Sequence, residues 1–220
     1  MTTCGSAEAA VLVFARAPVA GEAKTRLIPA LGACGAAYLQ QRLTENALAT
    51  AIRASIGCVQ LWCTPGPTHP FFAACAQRHG IALRTQVGAT LGERLASATV
   101  GELRSHRAVV VIGTDCPALT HDHLRLALDA LDRHDAVIRP AEDGGYVLIG
   151  LSRAFPEAFG GVDWGSDRVF NQTMESFSQG QLQVAVHGTL WDVDTPKDLE
   201  RLTRIMPEWR QVVAESVARR

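Results

Sequence analysis

Two cationic side chains lie one residue apart in the loop that follows the first apolar run of the chain. The stretch AGEAKTRL holds Lys24 and Arg26 shortly after the run VLVFARA. Lysine supplies a compact point charge and arginine a two-pronged fork, and both groups bind phosphate oxygens. Gly21 in the same loop allows the backbone to approach a ligand closely. The pattern indicates a phosphate-binding loop; a solvated cationic loop without a ligand is the alternative interpretation.

Neither of two common nucleotide-binding fingerprints accounts for this loop. The stretch AGEAKTRL lacks the G-x-x-x-x-G-K-[ST] spacing of a P-loop, and it also lacks G-x-G-x-x-G. A P-loop ATPase and a Rossmann dinucleotide-binding domain are therefore not supported by the sequence.

Two separate aspartates follow apolar runs and could share a metal ion. Asp115 ends the almost wholly apolar run in VVVIGTDCPALT, and Asp194 precedes the helix start in WDVDTPKDL. Asp192 alternates with Asp194 on an extended segment, so only one of the two is expected to face a cleft. Mg²⁺ needs one or two carboxylates and takes its other ligands from phosphate oxygens and water. Asp115 and Asp194 meet that requirement, although Asp115 could instead cap a turn.

Two further stretches carry charged residues beside glycines. In RPAEDGGYVLIG, Glu142 and Asp143 precede two glycines, which would let the backbone approach a substrate while the acids face the cleft. The same letters also signal a tight turn between strands. In LGERL, Glu93 and Arg94 lie at the start of a helix, where such a pair is most often structural.

The elements that must position these residues alternate between two kinds of pattern. Short apolar runs are separated by stretches with helical spacing, as in Leu39, Leu43 and Ala47. This alternation predicts an α/β fold with a mainly parallel sheet and helices on both faces, whose ligands bind at the carboxyl ends of the strands. Residues 141–165 are rich in turn signals and predict an elaborated edge over those ends. The runs are VLVFARA, CVQLWC, IALRTQ, AVVVIG, DAVIRP, YVLIGL and LQVAV.

Composition limits the partners and the surroundings of the protein. The 220 residues, 47% of them hydrophobic, fit one globular domain, and 21 basic against 22 acidic residues leave a net charge of −1. That balance argues against a nucleic-acid partner, since no overall positive field would hold a polyanion. No apolar stretch is long enough for a membrane span and no secretion signal is evident, so the sequence predicts a cytoplasmic protein without a membrane partner.

Five motifs together resemble the DUF2064 family of transferases associated with radical-SAM and selenodomain genes. They occur in the same order over residues 10 to 203: VFARAPVAGEAKTRL, LGERL, IGTDCPAL, PAEDGGYVLIGL and WDVDTPKDL. The resemblance implies the GT-A fold of nucleotide-diphospho-sugar transferases, and the family is also similar to phospholactate and molybdenum-cofactor guanylyltransferases. It implies a loose N-terminus at 1–9, a transferase domain at 10–206 and a C-terminal helical tail at 207–220.

The resemblance implies a transferase that uses a nucleotide and Mg²⁺ or Mn²⁺. The first hypothesis is a nucleotidyltransferase that moves a nucleoside monophosphate from a nucleoside triphosphate to a small phosphorylated or hydroxyl acceptor. The second is a glycosyltransferase with a nucleotide-sugar donor, since some members act in arsenosugar biosynthesis. A catalytically silent nucleotide-binding module is the third hypothesis.

The resemblance and the motifs assign roles to particular residues. The predicted catalytic residues are Lys24, Arg26, Asp115 and Asp143. The predicted nucleotide-binding residues are Ala15, Arg16, Ala17, Gly21, Lys24, Arg26, Glu93, Arg94 and Thr114. The predicted substrate-binding residues are Glu142, Asp143, Gly144, Gly145 and Trp164. The predicted metal ligands are Asp115 and Asp194.

The chain departs from its relatives at two places on the acceptor side. Where many relatives have I-P-W-S-T, this chain reads VDWGSD, with Asp163 and Gly165 as the changes. The G-G-G-T-N stretch of the guanylyltransferases is replaced by EDGGYV. Their guanine and acceptor preferences therefore do not carry over.

Overall fold

The computed structural model describes residues 9–220, in which seven strands form one sheet. The strands are β1 (Ala9–Arg16), β2 (Gly57–Thr64), β3 (Ala82–Thr85), β4 (Val109–Ile112), β5 (Ala136–Pro140), β6 (Tyr146–Leu151) and β7 (Val184–Val186). Each overlaps one of the seven apolar runs. The predicted loose segment 1–9 falls outside the described residues, except for Ala9, with which β1 begins.

The strands lie in the order β3-β2-β1-β4-β6-β5-β7 and are parallel except for β6. Val13 in β1 lies between Leu61 of β2 and Ile112 of β4. β6 runs antiparallel to both β4 and β5, because the short turn after β5 reverses the chain without a crossover helix. The predicted α/β fold with a mainly parallel sheet is therefore confirmed.

Helices connect the parallel strands. They are α1 (Ile28–Ala54), α2 (Pro70–His79), α3 (Leu91–Glu102), α4 (His121–Leu131), α5 (Val169–Gln179), α6 (Pro196–Ile205) and α7 (Arg210–Ala218). Helices α2, α3 and α4 begin after residues whose side chains accept a hydrogen bond from the first turn, namely His69, Thr90 and Thr120. The predicted start of α6 is present: Pro196 is its first residue, and the Asp198 carboxylate accepts a hydrogen bond from the Thr195 backbone N–H at 2.6 Å. No helix among residues 9–220 is long and apolar enough to cross a membrane.

Both faces of the sheet are covered, as the sequence predicts. Val11 and Val13 of β1 pack on one side with buried residues of α1, α2 and α4, and Leu12 packs on the other side with residues of α3 and α5. The alternation along β1 places successive side chains in opposite cores. Helices therefore cover both faces of the sheet, and loops lie at the carboxyl ends of its strands.

The opening loop enters α1 in two steps. A short 3₁₀ turn (Thr25–Leu27) comes first, and α1 is then interrupted at Gly32, whose φ of +71° is not helical. The regular part of α1 therefore begins after Gly32, where the sequence predicts a helix from about Ala33. The break sets the position of the Lys24–Arg26 loop relative to the rest of the helix.

The C-terminal helix packs along the first helix at a glycine. A Cβ placed on Gly35 of α1 would overlap the carbonyl oxygen of Ser216 in α7. Trp209, just before α7, shares a buried cluster with Leu31 and Leu39 of α1. The C-terminal segment thus covers an apolar surface of α1.

Substituting Gly35 with alanine should detach or shift α7 and lower the free energy of unfolding by about 2 kcal/mol, as overpacking at a buried contact does. Urea denaturation measures the change, and hydrogen exchange of residues 210–218 should accelerate. Gly101→Ala in α3 is the matched control, because a Cβ there meets nothing within 4 Å. The control should be neutral or stabilising through helix propensity. Equal effects of the two substitutions would contradict the packing argument.

Candidate active site

The carboxyl edge of the sheet bears two adjoining hollows. A groove of about 540 Å³ is lined from the ends of β1 to β4 by Arg16, Thr64, Gln86 and Thr114, among others. A cavity of about 420 Å³ lies next to it, over β4 and β6. The two share part of their lining, so molecules in the groove and the cavity would touch. The shared residues are Phe14, Arg26, Leu91, Gly113 and Asp115.

The Lys24 ammonium joins the two aspartates that the sequence predicts to meet. Its side chain is only 3% exposed, and Nζ lies 3.0 Å from Asp115 Oδ2 and 3.6 Å from Asp194 Oδ1. Nζ also donates a hydrogen bond to the Val193 carbonyl at 2.6 Å. The lysine backbone is left-handed, with φ of +48°, which turns the side chain inward. The buried ammonium is therefore surrounded by one carbonyl and two carboxylates, and its charge offsets those of the two acids.

Two buried polar side chains, Thr114 and Gln40, hold Asp115 in place through a chain of hydrogen bonds. The Thr114 hydroxyl donates to Asp115 Oδ1 at 3.1 Å, and the Gln40 amide donates to that hydroxyl at 3.0 Å. Gln40 is a polar residue in the buried face of α1 and lines the groove. Sequence reasoning missed Gln40; its position between the buried leucines of α1 was the available signal.

Exposed arginines line the groove. Arg26 has a side chain that is 70% exposed, and its Nη1 lies 2.7 Å from Asp194 Oδ2. Arg16 is exposed and forms no ion pair with any residue in 9–220. Arg94 donates to the Gly88 carbonyl at 2.9 Å and to the Thr64 hydroxyl at 3.2 Å, which fixes it beside the groove. These groups give the lining of the groove a net positive charge. The Arg16 guanidinium can donate hydrogen bonds to an anion bound there.

Not every predicted nucleotide-binding residue lies at the groove. Ala15, Arg16, Lys24, Arg26, Arg94 and Thr114 line it. Ala17, Gly21 and Glu93 line neither hollow. The Glu93 carboxylate instead accepts a hydrogen bond from the Ala89 backbone N–H at 2.7 Å, so it shapes the loop before α3.

Four aspartates line the cavity: Asp115, Asp143, Asp167 and Asp192. Asp143 Oδ1 accepts a hydrogen bond from the Gly145 backbone N–H at 2.9 Å, and Asp167, whose backbone packs against Gly144, also lines the cavity. Burial, and then the negative charge of Asp143, raise the pKa of Asp192 to about 6. Asp194 lines the groove and Asp192 the cavity, so each of the alternating aspartates borders a different hollow.

Glu142 and Gly144, two of the predicted substrate-binding residues, line neither hollow. The Glu142 carboxylate pairs with both Nη atoms of Arg201, at 2.5 and 2.8 Å, and this hydrogen bonding lowers the pKa of Glu142. Gly144 has φ of +89°, and a Cβ there would overlap the Asp167 carbonyl. Gly144 therefore lets the turn after β5 contact the segment that carries Asp167.

Trp164 lines the cavity and is held by a glycine of the LGERL motif. Its ring lies edge-on to Tyr146, with centroids 6.2 Å apart. A Cβ on Gly92 would come within 2.7 Å of the Trp164 indole nitrogen and would overlap the Phe159 carbonyl. Gly92 thus allows the start of α3 to contact the indole, a role that sequence reasoning missed.

The segment that departs from the relatives forms part of the cavity wall. Asp163 pairs with Arg168, and Gly165, with φ of +92°, lines the cavity. Of the two changed positions, Gly165 therefore lines the cavity directly, and Asp163 lies beside it in the same segment.

The sheet order, the groove at the ends of β1 to β4 and the acid-lined cavity define an α/β domain with the fold of nucleotide-diphospho-sugar transferases. A family model described as an uncharacterized protein conserved in bacteria, DUF2064, matches residues 47–166. The chain belongs to this family. A search of curated proteins finds no match.

Solved structures with similar folds cover nearly the whole chain. A protein of Desulfovibrio desulfuricans G20, assigned to the nucleotide-diphospho-sugar transferases, is 28% identical with a TM-score of 0.86, covering 96% of this chain and 98% of that one. The 4-diphosphocytidyl-2C-methyl-D-erythritol synthase of Anaerococcus prevotii DSM 20548 is 12% identical with a TM-score of 0.62, covering 92% and 97%. Rv0371c of Mycobacterium tuberculosis H37Rv, in complex with manganese, is 20% identical with a TM-score of 0.52, covering 90% and 98%.

Proposed function

We propose that the protein is a metal-dependent nucleotidyltransferase that moves a nucleoside monophosphate from a nucleoside triphosphate to a small acceptor. The observation that carries this proposal is the junction of two unlike hollows: a cationic groove meets an acid-lined cavity, and Asp115 and Arg26 border both. The groove fits a triphosphate and the cavity an acceptor, so the reacting groups would meet at Asp115. The cytidylyl enzyme of A. prevotii has the same fold.

The triphosphate would lie along the arginines of the groove. Arg16 is exposed without an ion-pair partner among residues 9–220, and Arg26 is mostly exposed, so both can donate to phosphate oxygens. Lys24 has a different role from the predicted direct contact with phosphate: its buried ammonium is already paired with Asp115, Asp194 and the Val193 carbonyl, and it neutralises the two acids beneath the groove. Without that neutralisation the two acids would repel the phosphates.

The lining of the cavity fits a hard divalent cation such as Mg²⁺ or Mn²⁺. Asp115 and Asp192 both line it, and Asp192 is half-buried with no ion-pair partner among the described residues. Asp194, the predicted second ligand, does not line the cavity and is paired with both Lys24 and Arg26, whereas Asp115 is paired with Lys24 alone and does line it, so we assign the ion to Asp115 and Asp192. Within residues 9–220 no three acidic, histidine or cysteine side chains converge as a metal cluster, so phosphate and water would complete the coordination. When bound, the ion would polarise the α-phosphate.

The chain's own residues supply the remaining chemistry. An acceptor hydroxyl oxygen forms a bond to the α-phosphorus while the bond to the bridging oxygen breaks and pyrophosphate leaves. Asp143, which lines the cavity, accepts the hydroxyl proton. Arg26 stabilises the charge that develops on the leaving phosphates, because it borders both hollows. Glu142 is excluded as the base by its pairing with Arg201.

Glycosyl transfer from a nucleotide sugar is the second candidate. It is favoured by the assignment of the D. desulfuricans protein and by the edge-on pair of Trp164 and Tyr146, since aromatic rings pack against the apolar face of a sugar. In that reaction the groove would hold the departing nucleoside diphosphate.

Product analysis distinguishes the candidates. The purified protein is incubated with Mg²⁺ or Mn²⁺, each of the four nucleoside triphosphates and a panel of small acceptors, and separately with nucleotide sugars. Release of pyrophosphate supports nucleotidyl transfer, and a nucleoside diphosphate released from a sugar donor supports glycosyl transfer. Nucleotide binding without either product would identify a catalytically silent binding module and overturn the proposal.

Substituting Arg16 with glutamine should weaken nucleoside triphosphate binding about tenfold, because one charge-assisted hydrogen bond is lost. Isothermal titration calorimetry at low ionic strength measures the change. Arg104→Gln is the matched control, since Arg104 is also exposed, forms no ion pair within residues 9–220 and lies outside both hollows. Similar losses in the two variants would show that net charge, rather than the groove, determines the affinity.

A further inference from the structure

The two hollows differ sharply in the charges that line them. The groove is lined by four cationic side chains, Arg16, Lys24, Arg26 and Arg94, against three acidic ones, Glu22, Asp115 and Asp194. The cavity has one cationic side chain, Arg26, against four acidic ones, Asp115, Asp143, Asp167 and Asp192. The groove therefore attracts phosphate and the cavity repels it.

The acids of the cavity are not neutralised from within the chain. Asp143, Asp167 and Asp192 form no ion pair with any residue in the described range 9–220, and the Lys24 ammonium is turned toward Asp115 and Asp194. A divalent ion would compensate two of the four carboxylates, and the triphosphate brings further negative charge to the border. A second phosphate group in the cavity would then face uncompensated carboxylates.

The rest of the cavity wall is apolar. Trp164 and Tyr146 form an edge-on aromatic pair, and aliphatic side chains fill the floor. The lining aliphatic residues are Leu91, Leu95, Val111, Ile112, Val147, Ile149 and Val169. Carboxylates accept hydrogen bonds from hydroxyl and ammonium groups, and aromatic rings pack on the C–H faces of saturated rings. The wall thus combines acceptors for hydroxyl donors with a flat apolar surface.

We propose that the acceptor in the cavity is an uncharged or cationic polyhydroxylated molecule with an apolar face, such as a sugar or a cyclitol, and that its phosphate ester is rejected. This rests on the proposed transferase function, and it selects hydroxyl over phosphorylated acceptors. Asp143 and Asp167 accept hydrogen bonds from the hydroxyl groups, and Trp164 packs against the apolar face; all three residues line the cavity.

Matched pairs of probes test this specificity with the full chain. Glucose and glucose 1-phosphate, and myo-inositol and its 1-phosphate, are compared by ligand-observed NMR in the presence of Mg²⁺ and a nucleoside triphosphate. Each unphosphorylated member should bind at least tenfold more tightly than its ester, and raised ionic strength should narrow the difference. Equal or tighter binding of the esters, or no binding of any probe, would overturn the inference.

Removing one negative charge from the cavity wall tests whether that wall causes the weaker binding of the phosphate esters. Asp167→Asn should improve binding of the phosphate esters about three- to fivefold relative to their unphosphorylated partners, so that the preference for the latter narrows. Asp129→Asn removes the same charge from an exposed position outside both hollows and should change neither. Identical responses of the two variants would also contradict the inference.

Pyrophosphate release is measured separately, so that the two proposals can fail independently. If no probe causes pyrophosphate release but the unphosphorylated probes still bind more tightly, the proposed transferase function is refuted and the charge specificity of the cavity is retained.

Discussion

Replacing Lys24 with methionine should lower the free energy of unfolding by about 2 to 3 kcal/mol. Breaking a fully buried ion pair costs about 3 to 5 kcal/mol, and the value here is smaller because Asp115 and Asp194 are each partly exposed. Methionine keeps the length of the side chain but leaves the two carboxylates facing each other and the Val193 carbonyl without its donor. Nucleotide binding should weaken as well, because the groove then rests on uncompensated negative charge.

Denaturant titration measures the loss, and Arg26→Met is its control. The Arg26 side chain is 70% exposed, so its pairing with Asp194 should contribute less than about 1 kcal/mol. Adding Asp115→Asn to the Lys24 variant should restore part of the stability, because Asp115 loses its ion-pair partner in that variant while Asp194 keeps Arg26. Equally small losses of unfolding free energy in Lys24→Met and Arg26→Met would show that the buried ion pairs of Lys24 contribute no more to stability than the exposed pair of Arg26.

The substitution Gly144→Ala should be still more disruptive, with a loss of about 3 kcal/mol or more. Alanine would have to adopt a φ of +89°, which costs about 1 to 3 kcal/mol, and its Cβ would overlap the Asp167 carbonyl. The overlap can be relieved only by separating the turn after β5 from the segment around Asp167. Both carry lining residues of the cavity, so acceptor binding should fall with stability.

Gly21→Ala separates the two contributions. Gly21 has nearly the same φ, +87°, but a Cβ there meets nothing within 4 Å. Its substitution should cost only the conformational penalty of about 1 to 2 kcal/mol. Thermal unfolding of both variants gives the comparison, and a Gly144→Ala protein as stable as Gly21→Ala would show that the contact with Asp167 is dispensable.

The fold could be predicted from the sequence because its signals are local. Each of the seven apolar runs encodes one strand, and the crossover helices show periodic apolar faces, so the parallel sheet and its two covered faces follow. The T-P-x-D start of α6 could also be predicted, since a capping box is formed by residues three apart.

The site could be predicted only in outline, because its contacts join distant segments. Asp115 and Asp194 could be selected from their positions after strands, but the burial of Lys24 between them depends on the left-handed backbone of its loop. The pairing of Glu142 with Arg201 joins residues 59 positions apart, and no motif indicates it.

The reversed strand β6 gives the site a property that a wholly parallel sheet would lack. Because β6 runs against its neighbours, the end of β5 and the start of β6 meet at the carboxyl edge through the short turn 141–145. That turn carries Asp143, which a parallel arrangement would have to place through a complete crossover helix. A change confined to these five residues can therefore alter the wall of the cavity while the sheet and its helices keep their positions.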